Sequence, residues 1–246
     1  MCEPLDMKNE NNSVTSKLSL AELNISNEQL EEFAIDYGFK INPDLEVTQR
    51  QELLCLLYKY CSRFARNFKE MRRYKNYELE LTLKDNKPSY QRQYKISNED
   101  ALECHRQITE MADYGIIEPA KNSKYQSAMF TVRQSNGAKC CVVDMRKINE
   151  NVTEPFLLQL PDMNQLLHSM ADQQAQYYSC LDLASGFYQI PLKEGVSRDV
   201  TSFSDLLSGL RYSFCVSPFG LQASPAALIL TLMNTMGPLI CQSVLC

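Results

Sequence analysis

The chain has only two histidines, His105 and His168, and none of its ten cysteines stands in a C-x-x-C pair. A structural zinc site therefore lacks its usual ligand spacing. The cysteines are scattered through 246 residues behind no signal peptide, which argues against a secreted disulfide scaffold and for reduced thiols in an intracellular protein. No apolar run approaches the roughly 18 residues needed to span a bilayer, so no membrane partner is expected. There is no internal repeat. A basic excess is missing too. The formal net charge is -5 and the pI about 5.2, which argues mildly against a free-standing nucleic-acid binder.

What is present suits a folded domain: 44% of residues are hydrophobic and 22% charged, enough for one sizeable core or two small ones. The opening, residues 1–18, is polar with little apolar periodicity and is expected to be disordered. Residues 19–76 read as a helical leader. Ser26 with Gln29, and Thr48 with Gln51, have the spacing of capping boxes. Leu53, Leu57, Tyr60, Phe64 and Phe68 then fall on one helical stripe. The basic residues Arg63, Arg66, Lys69, Arg72, Arg73 and Lys75 form either a solvated face or a phosphate-contacting one.

From Tyr77 to Leu83 the sequence YELELTL alternates with period two, as a half-buried strand does. Ser97 opens a helix with the apolar face Ala101, Cys104, Ile108 and Met111, and Gly115 stands where a left-handed cap would end it. A connector, Glu118 to Tyr125, follows. Strands are expected at Ala128–Arg133, Cys140–Asp144, Tyr177–Leu183 and Tyr212–Val216, with Asn136-Gly137 as a hairpin turn between the first two. Helices are expected near Met163–Met170 and Pro225–Met236. The mixture predicts an α+β fold.

The segment richest in chemistry is YYSCLDLASGFYQIPL, Tyr177 to Leu192. Asp182 lies between two leucines, where a charged carboxylate is costly to bury unless it is paired, hydrogen-bonded or bound to a metal. It either caps the turn at Ala184-Ser185-Gly186 or ligates a metal.

LDLASGFYQIPL resembles the motif of gypsy-type reverse transcriptases that carries the first catalytic aspartate. The resemblance runs upstream through GIIEPAKNSKYQSAMFTVRQSNGAKCCVVDMRKIN (Gly115–Asn149) and FLLQLPDMNQLL (Phe156–Leu167). Downstream it continues through FCVSPFGLQASPAALILTLMN (Phe214–Asn234). Four motifs in the family's order are far more specific than one short pattern.

The resemblance implies the fingers and part of the palm of a right-hand polymerase over residues 77–246. It also implies RNA-directed DNA polymerisation, with primer–template nucleic acid and dNTP as partners. Such enzymes use two Mg²⁺ ions about 3.5–4 Å apart. Asp182 would be the catalytic metal ligand, and the Leu183 carbonyl a second oxygen. Phe187 matches the ring that crowds the sugar 2′ position; taken alone it reads as a core aromatic. Phe219 and Gly220, in Pro218-Phe219-Gly220, match the turn beneath the incoming nucleotide, which is otherwise an ordinary turn. Arg133, Lys139, Arg146 and Lys147 fall in the fingers, where basic groups contact phosphates; as surface charges they need no such role.

Two departures from the family stand out. The finger arginine four residues before the aspartate of VDMR is replaced by Cys140, and a thiol cannot make a bidentate cationic contact to phosphate. Lys139 would point to the other strand face and substitutes poorly. Gly237 to Cys246 reads like the approach to Tyr-x-Asp-Asp, but these 246 residues do not contain it. The expectation is a truncated, inactive polymerase front half. The alternatives are a binding remnant without catalysis or an incomplete stretch of an active polyprotein.

Overall fold

The computed structural model describes residues 25–240 except 86, 121, 136, 152–163, 165–167 and 169–175. The chain divides into two compact units, residues 1–71 and 72–246. The expected disordered stretch 1–18 lies outside the described residues.

The first unit is built on two helices, α1 (Asn27–Asp36) and α2 (Val47–Lys59). The Ser26 capping box forms as expected: its hydroxyl accepts from the Gln29 N–H at 3.3 Å, and the Gln29 side chain accepts from the Ser26 N–H at 2.9 Å. The Thr48 box does not form, because α2 begins at Val47 behind Glu46, two residues earlier than a Thr48 cap would set it, with no side-chain cap. Nor does the predicted stripe of Leu53 and Leu57 supply the buried face. Leu30 and Ala34 of α1 pack with Leu54 and Cys55 of α2, flanked by Tyr58 and Phe39. Helix α2 stops at Lys59, so Phe64 and Phe68 leave the helical register. Of the basic stretch, Arg66 is engaged by Glu70 at 2.9 Å and lies over the Tyr37 ring.

The second unit starts with an extended run. Glu78, Glu80 and Thr82 face solvent, whereas Leu79 and Leu81 are buried, so the period-two reading of Tyr77–Leu83 is right about faces. The run forms no regular strand. Leu79 instead makes an isolated bridge, its N–H donating to the Pro191 carbonyl at 2.8 Å and its own carbonyl accepting from Lys193.

Helix α3 (Asn98–Asp113) follows the Ser97 cap, whose hydroxyl accepts from the Asp100 N–H, and buries Cys104, Ile108 and Met111. Gly115 takes φ +64 and ends it, with the Ile116 N–H donating back to the Met111 carbonyl, the cap expected from the sequence. Next come β1 (Ile117–Pro119), β2 (Met129–Arg133) and β3 (Lys139–Val143). β2 and β3 form the predicted hairpin, with Met129 opposite Val143 and Arg133 opposite Lys139. The Gln107 side chain of α3 satisfies the outer edge of β3: its amide donates to the Lys139 carbonyl at 2.8 Å and accepts from the Cys141 N–H at 2.9 Å. Otherwise those groups would lie unpaired along a strand edge.

A short helix, α4 (Arg146–Asn151), follows β3. The helix expected at Met163–Met170 falls almost wholly outside the described residues. The unit ends with α5 (Val196–Asp199), β4 (Phe203–Ser204), β5 (Arg211–Phe214) and α6 (Ser224–Ile240). β1, β5 and β4 make an antiparallel sheet in that order, with Ile117 opposite Phe214 and Phe203 opposite Tyr212. Phe203, Ile190, Leu192, Val200 and Val216 are fully buried in the core beside that sheet. Helices and antiparallel strands in one core make the fold α+β, as expected.

The predicted strand Tyr177–Leu183 is absent: the segment has no regular structure and is exposed throughout. A strand needs a neighbour to take its ladder hydrogen bonds, and no described strand lies along these residues.

Candidate nucleic-acid and nucleotide site

The loop after Asp182 turns sharply at Ser185, the one non-glycine residue with positive φ among those described (φ 46). A 3₁₀ turn, Gly186–Gln189, follows. A Cβ at Gly186 would stand 3.3 Å from Leu183 Cβ and 3.4 Å from Leu228 of α6, so glycine permits the close approach. The chain then runs antiparallel to the segment after β5. Pro191 bridges Val216, and the Ser217 N–H donates to the Ile190 carbonyl at 2.8 Å.

That pairing brings two predicted site segments together. The Phe187 and Phe219 rings meet edge to face with centroids 5.2 Å apart, and Tyr188 meets Phe219 at 5.0 Å. Phe187 is half-buried, whereas Phe219 is 48% exposed and offers part of its ring to solvent. Gly220 has φ +83, and its nearest neighbours are Met145 and the Val143 carbonyl. Sequence reasoning missed what holds this turn. Asn149 donates to the Gly220 carbonyl and accepts from the Gln222 N–H, both at 2.9 Å. Beneath it the buried Ser224 hydroxyl donates to the Pro218 carbonyl at 2.9 Å and shares a 2.5 Å hydrogen bond with Ser217. The bracketing asparagine lies inside the DMRKIN stretch, but its two partners lie about 70 residues away, a distance no local pattern spans.

The basic residues divide by what they touch. Lys139 is bound by Glu99 at 2.9 Å and Asp100 at 2.8 Å at the start of α3, and its side chain is only 17% exposed. Its ammonium is thus occupied. Arg133, directly opposite on β2, is exposed. Lys147 is exposed, with its Nζ donating to the Tyr90 carbonyl at 3.1 Å. Arg146 makes a two-point ion pair with Asp144, Nε to Oδ1 at 2.9 Å and Nη2 to Oδ2 at 2.7 Å. That guanidinium, aided by the Tyr94 hydroxyl, holds the buried Asp144 carboxyl well below the usual carboxylate range despite the opposing cost of burial. Cys140 sits half-buried on the strand face opposite to Lys139, and burial, with a smaller contribution from Cys104, pushes its thiol up. It is a neutral group where the resemblance would put a cation.

Asp182 stands apart. It is exposed and has no hydrogen-bond or ion-pair partner among the described residues. The burial cost inferred from its leucine neighbours is not incurred, because Leu181 and Leu183 are themselves exposed, at 73% and 40%. No group of three His, Cys, Asp or Glu side chains that could hold a metal occurs among the described residues. A two-ion Mg²⁺ site does not fit this donor set, since one exposed carboxylate leaves each ion's remaining positions without protein ligands.

The fold around the exposed aromatic turn and the hairpin is that of a reverse transcriptase. The structure aligns with that of a foamy viral protease-reverse transcriptase in complex with double-stranded DNA, at TM-score 0.67 and 19% identity, over 97% of this chain and 39% of that one. Residues 132–245 match the model of the family described as reverse transcriptase (RNA-dependent DNA polymerase). The chain is 36% identical over 155 residues to the Pol polyprotein of transposon 412 of Drosophila melanogaster, covering 61% of this chain and 12% of that protein. It is 34% identical over 144 residues to the Pol polyprotein of transposon gypsy from the same organism, covering 56% of this chain and 13% of that one. The chain is reverse transcriptase-like over residues 132–245 and is similar, over 56–61% of its length, to the Pol polyproteins of these retrotransposons. It spans about an eighth of the length of those relatives. No described helix is long and apolar enough to cross a membrane.

Proposed function

We propose that this chain is a primer–template binding module with the fingers and front palm of a reverse transcriptase, and that residues 1–246 alone add no nucleotide. The observation that carries the reading is the meeting of Phe187 with the Phe219-Gly220 turn. Two segments more than 30 residues apart thereby form one partly exposed aromatic surface of the kind on which a base or sugar stacks.

In this reading Phe187 is the sugar gate, Phe219 and Gly220 lie under the incoming nucleotide, and the Leu183 carbonyl lies beside it. Arg133, Arg146 and Lys147 contact phosphates. Lys139 takes that role only if it leaves Glu99 and Asp100. Asp182 is the family's catalytic Mg²⁺ ligand, and its exposure leaves it free to join carboxylates supplied from elsewhere. Binding without incorporation is favoured by two observations: the thiol of Cys140 in place of a cation, and the single carboxylate at the loop.

The test is fluorescence anisotropy with a labelled RNA–DNA primer–template, run beside primer extension with dNTP and Mg²⁺. Binding that weakens steeply with salt and no extension is the expected result. Absence of binding at low salt would overturn the module itself. Extension abolished by Asp182→Asn would overturn the noncatalytic half of the reading.

A further inference from the structure

We propose that Tyr94 is a positioning residue for the nucleic-acid backbone: its hydroxyl and the Asp144 carboxylate together aim the Arg146 guanidinium at a template phosphate. The inference rests on the reading of this chain as a primer–template binder.

The Arg146 side chain is 77% exposed. An arginine so exposed normally wanders among rotamers, which weakens any single contact it makes. Here three of its N–H groups are already held. Nε and Nη2 grip Asp144, and Nη2 also donates to the Tyr94 hydroxyl at 3.0 Å. Nη1 is left without a partner among the described residues. It offers two donors in a fixed plane, the form of guanidinium that suits a phosphate oxygen.

The frame behind the guanidinium is stiff. Asp144 is 3% exposed, and its backbone N–H donates to the Ala128 carbonyl at 2.8 Å across the foot of the β2–β3 hairpin. Its Oδ1 also accepts from the Arg146 N–H at 3.1 Å, which ties the acid to the start of α4. The Tyr94 hydroxyl donates to Asp144 Oδ2 at 2.8 Å while it accepts from Arg146, so one hydroxyl closes the ring of three side chains. The Tyr94 ring is set by an edge contact to Phe130 of β2 at 5.8 Å. Tyr94 nevertheless remains 41% exposed. A purely structural clasp would have no reason to hold its cation in water, where an ion pair contributes little to stability.

The experiment uses the full chain and a labelled RNA–DNA primer–template, with affinity measured by anisotropy from 50 to 200 mM salt in wild type, Tyr94→Phe, Arg146→Ala, Arg146→Lys and the Tyr94→Phe/Arg146→Ala double variant. Tyr94→Phe keeps every charge and the ring, so it is expected to weaken binding about 3- to 10-fold with an unchanged salt slope. Arg146→Ala should lower the salt slope by about one. The double variant should bind like Arg146→Ala, because Tyr94 acts only through Arg146. Arg146→Lys, which keeps the charge and loses the fork, should weaken binding at least as much as Tyr94→Phe. Equal binding by Tyr94→Phe and wild type, or losses that add in the double variant, would overturn the positioning role while leaving the module intact. No binding by wild type would overturn both.

Discussion

Asn149, in α4, grips the Pro218-Phe219-Gly220 turn through both ends of its carboxamide, donating to the Gly220 carbonyl and accepting from the Gln222 N–H at 2.9 Å each. A turn that exposes an aromatic ring has little packing of its own, so these two bonds and the Ser217–Ser224 pair below fix its course.

Asn149→Ala is therefore expected to lower stability by about 1–2 kcal/mol, the sum of two partly exposed hydrogen bonds. Asn149→Asp, which keeps the acceptor for Gln222 but cannot donate to Gly220, should lose less. Urea unfolding of the two variants, read by their midpoints at unchanged m-value, checks the order.

Gly220→Ala separates backbone strain from crowding. An added Cβ would meet nothing nearer than 3.8 Å, so space is available, but φ +83 is a conformation that L side chains rarely adopt. The expected cost is about 1–2 kcal/mol. Gly186→Ala should fail for the other reason, since its Cβ would press on Leu183 and Leu228 at 3.3–3.4 Å while its φ is not positive. Replacing Leu228 by Ala should relieve Gly186→Ala and leave Gly220→Ala unchanged.

Acid should loosen the β2–β3 foot through Asp144. Its folded-state pKa is depressed, by Arg146 first and also by Tyr94. The stabilisation is thus fully present above the unfolded value near 4 and is lost as pH falls below it toward the folded pKa. Unfolding midpoints measured from pH 6 to pH 3 should fall less steeply in Asp144→Asn than in wild type. Identical slopes would mean that Asp144 titrates alike in both states.

Asp182→Asn should leave the fold untouched. The side chain is exposed and has no partner among the described residues, so the melting temperature should stay within the shift of about 0.5 kcal/mol typical of surface substitutions. A large loss of stability in this variant would show that the carboxylate holds structure.

Much of the fold was legible because it is written in local rules. The Ser26 and Ser97 caps, the Gly115 stop, the period-two faces around Leu79 and Leu81, and the 129–143 hairpin each depend on residues a few positions apart. The errors share a different cause. Thr48 has a capping-box pattern, but α2 starts at Val47 behind Glu46, which puts Thr48 inside the helix. Tyr177–Leu183 has β-forming composition, yet no described strand pairs with it. Composition states what a segment can do, and a neighbour decides whether it does.

The site divides in the same way. The sequence alone determined that this chain carries the motifs of a gypsy-type reverse transcriptase, and it named Asp182, Phe187, Phe219, Gly220 and Arg146, because family motifs are contiguous stretches of residue types. Only tertiary structure decided which of them act together. It set Phe187 against Phe219, occupied Lys139 with Glu99 and Asp100, left Asp182 exposed, and closed Tyr94, Asp144 and Arg146 into one cluster. Those relationships join residues as much as 52 positions apart, and hydrogen bonds and ring contacts reach only a few ångströms, so they exist only once the chain has folded.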